Sequence, residues 1–500
     1  MTGGAGIVAG ASGGASGASG GAGGGLAGVA GGGGSTAGSG GAAAGSGGGA
    51  AGSGGAAGAG GAAGVGGHGA ACSDPGSCPG ATTPCEHPTC VAGQCGVAYA
   101  QANTVVADAV GNCHKTTCDG SGNLISAIDN SDLLVDGNPC TSDLCNAGVA
   151  SNPKLAAGTI CSGDGASACD NTASCKPLTF RVLRVGDGQT ALNAASTAAF
   201  VEERRVDGTL VSTVALPTAA SGAMQPFTMA GSASSEGGLA LSSSGHFLTA
   251  AGYATPPGTA SVASTTAATV FRLAARIDIA GNVDTTTSFS TAESGSNARS
   301  AVSLDGAGIW IAGSNDVWYG LFGAATQAGT SVLSAPSNVR WLAIFGGQLY
   351  GSSGSSGFTD VFTIGSGLPV TVNQTATPLP GLPTTGASPY GFVFFDLDAA
   401  VAGNDTLYLA DDVAGLQKWT FDGSSWSQVG TLNLPSPVGF RGVAGFAASG
   451  TVTLMASTAE SGSDRLVVFV DGGGATPVGT PVATSPVNTM FRGLALSPHF

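Results

Sequence analysis

Four of the eleven arginines in this 500-residue chain recur in one local setting: Arg299 in "ARSAVSL", Arg340 in "VRWLAIF", Arg441 in "FRGVAGF" and Arg492 in "FRGLALS". A guanidinium is a planar fork of donors that grips carboxylate, sulfate or phosphate through paired hydrogen bonds. Four of them at equivalent points of a repeat would make a positive collar able to hold an anionic ligand. The competing reading is structural, with each arginine tying neighbouring repeats together through backbone carbonyls or a nearby carboxylate. A second group of ligand-type residues is Asp396, Asp398, Asn404, Asp405, Asp411 and Asp412, with Asp396, Asp398 and Asp405 as its core. Calcium takes about six to eight oxygen ligands, and a carboxylate-rich loop can supply them. The spacing does not match an EF-hand loop, however, and Asp and Asn are also ordinary turn formers.

Nucleophilic hydrolysis has weaker support. "GASGG" at Gly10–Gly14 fits G-x-S-x-G, but it sits in low-complexity sequence where such matches arise by chance. The two histidines of the C-terminal part, His246 and His499, have no evident Ser or Asp partner. The tryptophans Trp310, Trp318, Trp341, Trp419 and Trp426 fall at strand positions and are expected to pack between sheets, with Trp426, just after a turn, also a candidate sugar-stacking platform.

The elements that position these residues follow from an internal period. From residue 178 onward, short runs of Val, Ile, Leu, Phe, Thr and Trp alternate with Gly, Asp and Asn turns, the pattern of many short strands. "RVDGTLVSTVAL" and "RIDIAGNVDTTTSF" are expected hairpins with Asp-Gly and Gly-Asn turns. "EGGLALSSSGHFLTAAG", "ARSAVSLDGAGIWIAGS", "VRWLAIFGGQLYGSS", "YGFVFFDLDAAVAGNDTLYLAD", "FRGVAGFAASGTVTLMAS" and "FRGLALSPHF" share one plan: an apolar strand, a polar turn and a second strand. Their second positions are 237, 299, 340, 391, 441 and 492, so the steps are 62, 41, 51, 50 and 51 residues. A period of this size suits a four-stranded antiparallel sheet. The pattern resembles a β-propeller, which implies six blades, or seven if the 62-residue step holds a degenerate one. The last copy supplies only one strand. "LTFRVLRVG", "AAFVEERRV" and "GTLVSTVAL" read as the three strands it lacks, so the C-terminal strand is expected to pair with them and remove an open edge.

Two further regions precede this one. Residues 1–71 hold 34 of the 88 glycines and no Asp, Glu, Lys or Arg. Such a stretch has little surface to bury against its ordering entropy and reads as a disordered tether. Residues 72–177 contain all twelve cysteines: Cys72, Cys78, Cys85, Cys90, Cys95, Cys113, Cys118, Cys140, Cys145, Cys161, Cys169 and Cys175. Their even number in a segment poor in large apolar residues predicts disulfides formed in an oxidising compartment, with the connectivity open. Zinc is the alternative, because His87 and His114 stand between cysteines in "CEHPTC" and "CHKTTC". The phrase "DGNPCTSDLC" resembles a cysteine-rich repeat of secreted, myxobacterial-type surface proteins, where the module implies an extracellular spacer or adhesion element without catalytic residues.

The formal net charge of −15, with four lysines, argues against nucleic-acid binding. No apolar run is long enough for a transmembrane helix. Met1 is followed by no basic and apolar leader, so an export signal is expected upstream of it. Together these features predict a monomeric extracellular or cell-surface protein, outer-membrane associated. It would carry a stalk, a disulfide-rich spacer and a propeller face that binds a protein or glycan ligand. The alternative is a propeller hydrolase or lyase acting on a polysaccharide or lactone.

Overall fold

The computed structural model describes residues 70–498 apart from 157, 164, 165, 171, 449 and 475. The expected tether, the "GASGG" match and His499 therefore lie outside the described residues. The described chain is mainly β. It contains only two three-residue 3-10 turns, and no helix long and apolar enough to cross a membrane. It divides into two compact units: the described residues up to Val135 with Asp143–Ser151, and Asp136–Ser142 with Asn152 onward.

The smaller unit is built of short antiparallel pieces: Glu86–Val91 with Gln94–Tyr99, then Val105–Asp108, His114–Cys118 and Leu124–Ile128, then Leu144–Asn146 with Val149–Ser151. Its apolar side chains are largely on the surface, Val91, Val110, Ile128 and Val135 among them, while Cys85, Cys113 and Cys118 are fully buried. Cross-links therefore stand in for a core. They join Cys72 to Cys90, Cys78 to Cys95, Cys85 to Cys118 and Cys113 to Cys145. In the larger unit Cys140 joins Cys169 and Cys161 joins Cys175. All twelve thiols are oxidised, which leaves no thiolate for zinc. Bridges of this loop length contribute about 2–4 kcal/mol each, chiefly by restricting the unfolded chain.

In the larger unit the chain runs through twenty-five strands from residue 179 onward. The first three are β1 (Thr179–Val185), β2 (Ser196–Arg205) and β3 (Leu210–Ala215), followed by a short bridging strand β4 (Thr228–Ala230). Then come β5 (Leu239–Leu241), β6 (Phe247–Tyr253), β7 (Arg272–Asp278) and β8 (Val283–Phe289). Four-stranded antiparallel sheets follow in strict sequence order. One is β9 (Ala298–Val302), β10 (Gly308–Gly313), β11 (Val317–Leu321) and β12 (Thr330–Leu333). The next is β13 (Val339–Phe345), β14 (Gln348–Ser353), β15 (Val361–Ile364) and β16 (Ala376–Pro378). After it come β17 (Pro389–Phe395), β18 (Thr406–Asp411), β19 (Gly415–Phe421) and β20 (Trp426–Leu432). The last complete sheet is β21 (Phe440–Ala448), β22 (Thr451–Thr458), β23 (Arg465–Asp471) and β24 (Thr480–Thr484), and β25 (Met490–Leu496) ends the series.

Both expected hairpins form, β2 with β3 and β7 with β8. At the first, Gly208 has φ +84°, and a Cβ there would lie 2.2 Å from the Val482 carbonyl oxygen, so the Asp-Gly turn admits no larger residue. The last strand pairs antiparallel with the first of the series, Val182 opposite Leu494 and Phe180 opposite Leu496. The strand order in this sheet is therefore β25, β1, β2, β3, and β4 links it to the next through Thr228 opposite Tyr253. The long 62-residue step is taken up by the connection between β6 and β7, which contains the 3-10 turn Val262–Ser264.

The leading strands β5, β9, β13, β17, β21 and β25 each lie against the next, and β25 lies against β5. They enclose a narrow apolar cavity of about 60 Å³, lined by residues such as Leu239, Val302, Ala343, Val393, Ala444 and Leu494. Between sheets, alternate strand residues interdigitate, as in the cluster that joins Phe180, Val182, Phe446, Met455, Phe491 and Leu496. Ala168 and Leu178 belong to that same cluster, so the chain around Cys169 is part of this core.

Phe491, Leu494 and Leu496 are each at most 2% exposed. Burying a side chain of this size contributes about 1.5–3 kcal/mol, and β25 also supplies the ladder partners of β1. Deleting residues 490–500 is therefore expected to remove at least about 5 kcal/mol of stability. The check is urea denaturation followed by tryptophan fluorescence, where a near-native midpoint would contradict this account.

Candidate functional site

The four recurring arginines stand where leading strands begin, and each has its Nε atom buried without a hydrogen-bond partner. Arg492 of β25 is 3% exposed. Its Nη1 donates to the carbonyls of Ala233 and Glu236 (3.3 Å for the latter), and its Nη2 to those of Ala230 (3.1 Å) and Gly231 (2.8 Å), the connection that leads into β5. Burial pulls its pKa down to about 10, against the opposing field of Glu236. Gly237 makes room for it: φ there is +95°, and a Cβ would fall 2.7 Å from the Arg492 Cβ.

Arg299 of β9 reaches forward in the same way, donating to Asn338 Oδ1 (2.6 Å) and the Val339 carbonyl (3.4 Å) at the start of β13. Arg340 of β13 donates to Ser388 Oγ (2.7 Å) and the Pro389 carbonyl (3.4 Å) at the start of β17. Arg441 departs from the rule. Its partners are the Ala459 carbonyl and the Asp412 carboxylate, each at 3.3 Å. Arg340 and Arg441 both stack on the buried ring of Tyr390, with guanidinium carbons 4.4 and 5.5 Å from its centroid. Arg299 and Arg492 are thus interior joints, whereas Arg340 and Arg441 are half-buried and flank one aromatic ring. Arg441 and Arg492 also line a small depression with Glu236, Trp341, Tyr390 and Thr458.

A network of buried acids occupies the same end of the sheets. Glu236, placed one residue before the repeated arginine position, accepts from Tyr253 Oη (2.5 Å), Asn297 Nδ2 (2.7 Å) and the Ala230 amide (2.9 Å). Burial pushes its carboxyl upward, opposed by Arg492, and burial together with the Glu236 charge drives the Tyr253 phenol well above its usual value. Arg272, opposite Tyr253 in the β6–β7 pair, is fully buried and donates to the carbonyls of Val270, Ala263, Thr265 and Ser296. Asp411 accepts from the amides of Ser388, Val413 and Ala414. Asp464 accepts from Ser485 Oγ and the Phe491 amide, both at 2.6 Å, and burial raises it to about 6. Asp360 holds the Val361 amide with Oδ1 while Oδ2 is buried and unpartnered; burial, and less so the Asp411 charge, raises it to about 8.

The carboxylates proposed for calcium are used differently. Asp405 is buried and orders its own loop, accepting from the amides of Leu397 and Asp398 and from Thr406 Oγ1. Asp398 is exposed and caps Ala400, and Asp396 is exposed. Among the described residues, the groups of three or more close metal-type ligand atoms are two cysteine triples, and those cysteines are disulfide-bonded. The carboxylates of Asp396, Asp398 and Asp405 do not form such a group among the described residues, although the Asp398 amide donates to Asp405. The tryptophans pack between strands, Trp310 donating to the Pro369 carbonyl and Trp419 to Gln417. His246 stands edge-on to Phe247.

Glu236, Tyr253, Arg272, Asn297 and Asp360 are not among the residues the sequence singles out. Glu236 carries the clearest signal: it occupies the repeat position that is otherwise Ala298, Val339, Tyr390, Phe440 and Phe491, where a carboxylate interrupts an apolar series.

No protein-family model matches this chain, and no curated protein does. Among solved structures it is similar to dihydro-heme d1 dehydrogenase NirN in complex with DHE, at 12% identity and a TM-score of 0.30, over 63% of this chain and 74% of that one. A likeness at that level assigns neither ligand nor reaction.

Asp360 and Asp464 have native pKa values above those of an unfolded chain, so the fold favours their neutral forms. Their contribution to stability is fully present below about pH 4 and is lost as pH rises through about 6 for Asp464 and about 8 for Asp360. Asp360→Asn keeps the acceptor for Val361 and removes the titration. Its unfolding free energy is expected to exceed that of the wild type at pH 9 by an amount on the order of a few kcal/mol, seen as a higher melting temperature, and to match it near pH 4. Melting curves across this range test the assignment, and parallel profiles for the two proteins would refute it.

Proposed function

We propose that the larger unit is a six-bladed β-propeller and that the chain is an exported surface protein which uses one propeller face to bind an anionic extracellular ligand, such as an acidic glycan. The contacts of β5, β9, β13, β17, β21 and β25 in a closed order, together with the pairing of β25 and β1, support the propeller reading. Six disulfides support passage through an oxidising compartment. The resemblance of "DGNPCTSDLC" to the cysteine-rich repeats of myxobacterial-type surface proteins points the same way.

The observation that carries the binding reading is a charge imbalance. Of the four guanidiniums at the strand entries, only Arg441 has a carboxylate within ion-pair distance among the described residues, Asp412 at 3.3 Å. Burial moves the nearby Glu236 toward its neutral form. On a chain of net charge −15, the unpaired guanidinium of Arg340 and the neighbouring Arg441, both half-buried and held against Tyr390, are preorganised to meet an anion.

The two kinds of arginine separate binding from folding. The double variant Arg340→Ala/Arg441→Ala is expected to lose retention on immobilised heparin or alginate at low salt while keeping its melting temperature within a few degrees of wild type. Arg492→Ala removes the guanidinium donor from the carbonyls of Ala230, Gly231, Ala233 and Glu236 and is expected to cost about 3–5 kcal/mol of stability instead. Replacing all four arginines at once would confuse the two effects. Full retention by the double variant, or no retention by the wild type on either matrix, would exclude the anion-binding rim.

A further inference from the structure

A cavity of about 370 Å³ lies between the β13–β16 and β17–β20 sheets, at the end opposite the strand entries. It is lined by Phe345 and Tyr350 from the β13–β14 hairpin, Phe394 from β17, Asn404 from the loop after it, and Phe421 and Trp426 from the β19–β20 hairpin. Cavities that hold small organic ligands begin at roughly 300 Å³, mostly apolar with a few well-placed polar groups.

The five aromatic rings form one contiguous wall of tilted and edge-to-face contacts, in which Phe421 and Trp426 come nearest to coplanar at 31°. Phe345 meets Tyr350 at 6.2 Å and Phe394 at 5.0 Å, Tyr350 meets Phe394 at 5.2 Å, Phe394 meets Trp426 at 5.5 Å, and Trp426 meets Phe421 at 5.2 Å between centroids. The wall is held from behind. Trp426 pairs with Phe421 across the strand ladder, and its amide donates to the Pro380 carbonyl at 2.8 Å. Gln348 fixes the other hairpin, accepting from the Gly367 amide and donating to the carbonyls of Leu349 and Ile364. Three polar groups of the lining have no hydrogen-bond partner among the described residues: the Tyr350 hydroxyl, the Asn404 amide and the indole N–H of Trp426, a residue that is only 6% exposed.

This lining selects a ligand by elimination. No charged side chain belongs to it, so neither an anion nor a cation finds a counter-charge. A wholly apolar ligand would desolvate three donors and acceptors without replacing their hydrogen bonds, at about 1–3 kcal/mol for each. A neutral molecule with one apolar face and hydroxyls at its edge satisfies both halves of the surface.

We propose that this cavity is a subsite for a neutral pyranose residue of a glycan, packed against the Phe421–Trp426 pair with its hydroxyls bonded to Tyr350 and Asn404. The proposal extends the glycan-binding reading but uses none of the four arginines, so each can fail without the other.

The full-length protein is tested with cellotetraose, maltotetraose, laminaritetraose and chitotetraose by saturation-transfer NMR and tryptophan fluorescence. At least one is expected to bind, with its ring protons saturated and the fluorescence shifted. Because Trp426 is part of the core, the decisive variant is Tyr350→Phe/Asn404→Ala, which removes only polar groups. It is expected to weaken binding at least about ten-fold with a melting temperature within about 2 °C of wild type. Arg340→Ala/Arg441→Ala should bind the same sugar as wild type does. The subsite is overturned by absence of binding to all four sugars, by undiminished affinity in Tyr350→Phe/Asn404→Ala, or by binding of benzyltrimethylammonium in place of any sugar.

Discussion

The larger unit depends on a guanidinium donating to the carbonyls at the entrance of the next leading strand. Where six strands begin side by side, their connections bring backbone oxygens into a region that water cannot fully reach, and an unpaired buried carbonyl is costly. Arg492 answers this at the entrance to β5 and Arg299 at β13, while half-buried Arg340 makes only a long contact of 3.4 Å at β17. At two of the six equivalent positions the chain has glycine. Gly237 lies under Arg492, and Gly391 lies 3.0 Å, measured from a built Cβ, from the Arg441 carbonyl oxygen, so a side chain there would collide with the neighbouring strand. At Gly237 the glycine is the space that the Arg492 side chain enters, whereas at Gly391 it admits the backbone of the next leading strand.

The joint fixes the acids around it. With the β4–β5 connection held by Arg492, Glu236 is placed to bind Tyr253, Asn297 and the Ala230 amide, and Arg272 packs over Tyr253 at 4.9 Å. The side chains that shape this end of the sheets are thus also those that keep it from opening. Formal charge overstates how acidic this end is, since burial moves Glu236, Asp360 and Asp464 toward their neutral forms.

Much of the β organisation was legible because strands need only a local alternation of apolar and polar residues with turn formers between them. The Asp-Gly turn at Gly208 and the apolar spacing of Phe491, Leu494 and Leu496 each carried enough information to predict a hairpin and a closing strand pair. The site was legible only in part. The recurring arginines could be located, but whether each faces solvent or a neighbour depends on what the next sheet presents, and Arg441 turning to Asp412 has no local signature. Asp360 is not singled out by its sequence and Asp405 stands there among calcium-type ligands or turn formers; only the fold buries them. Tyr253 and Arg272 meet through the β6–β7 register across an eighteen-residue connection that hydropathy does not describe. Likewise the abrupt change in composition near residue 177 does not reveal that Ala168 and partly buried Ile160 pack with Phe180.

The order of the disulfides has a consequence of another kind. Each bridge encloses one end of the next along the chain: Cys72–Cys90 overlaps Cys78–Cys95, which overlaps Cys85–Cys118, and so on through Cys113–Cys145, Cys140–Cys169 and Cys161–Cys175. Every peptide bond from Cys72 to Cys175 therefore lies inside at least one covalent loop. A protease that nicks this stretch once leaves the two fragments chained together, so the chain before Cys72 stays tethered to the chain beyond Cys175 even after the backbone between them is cut.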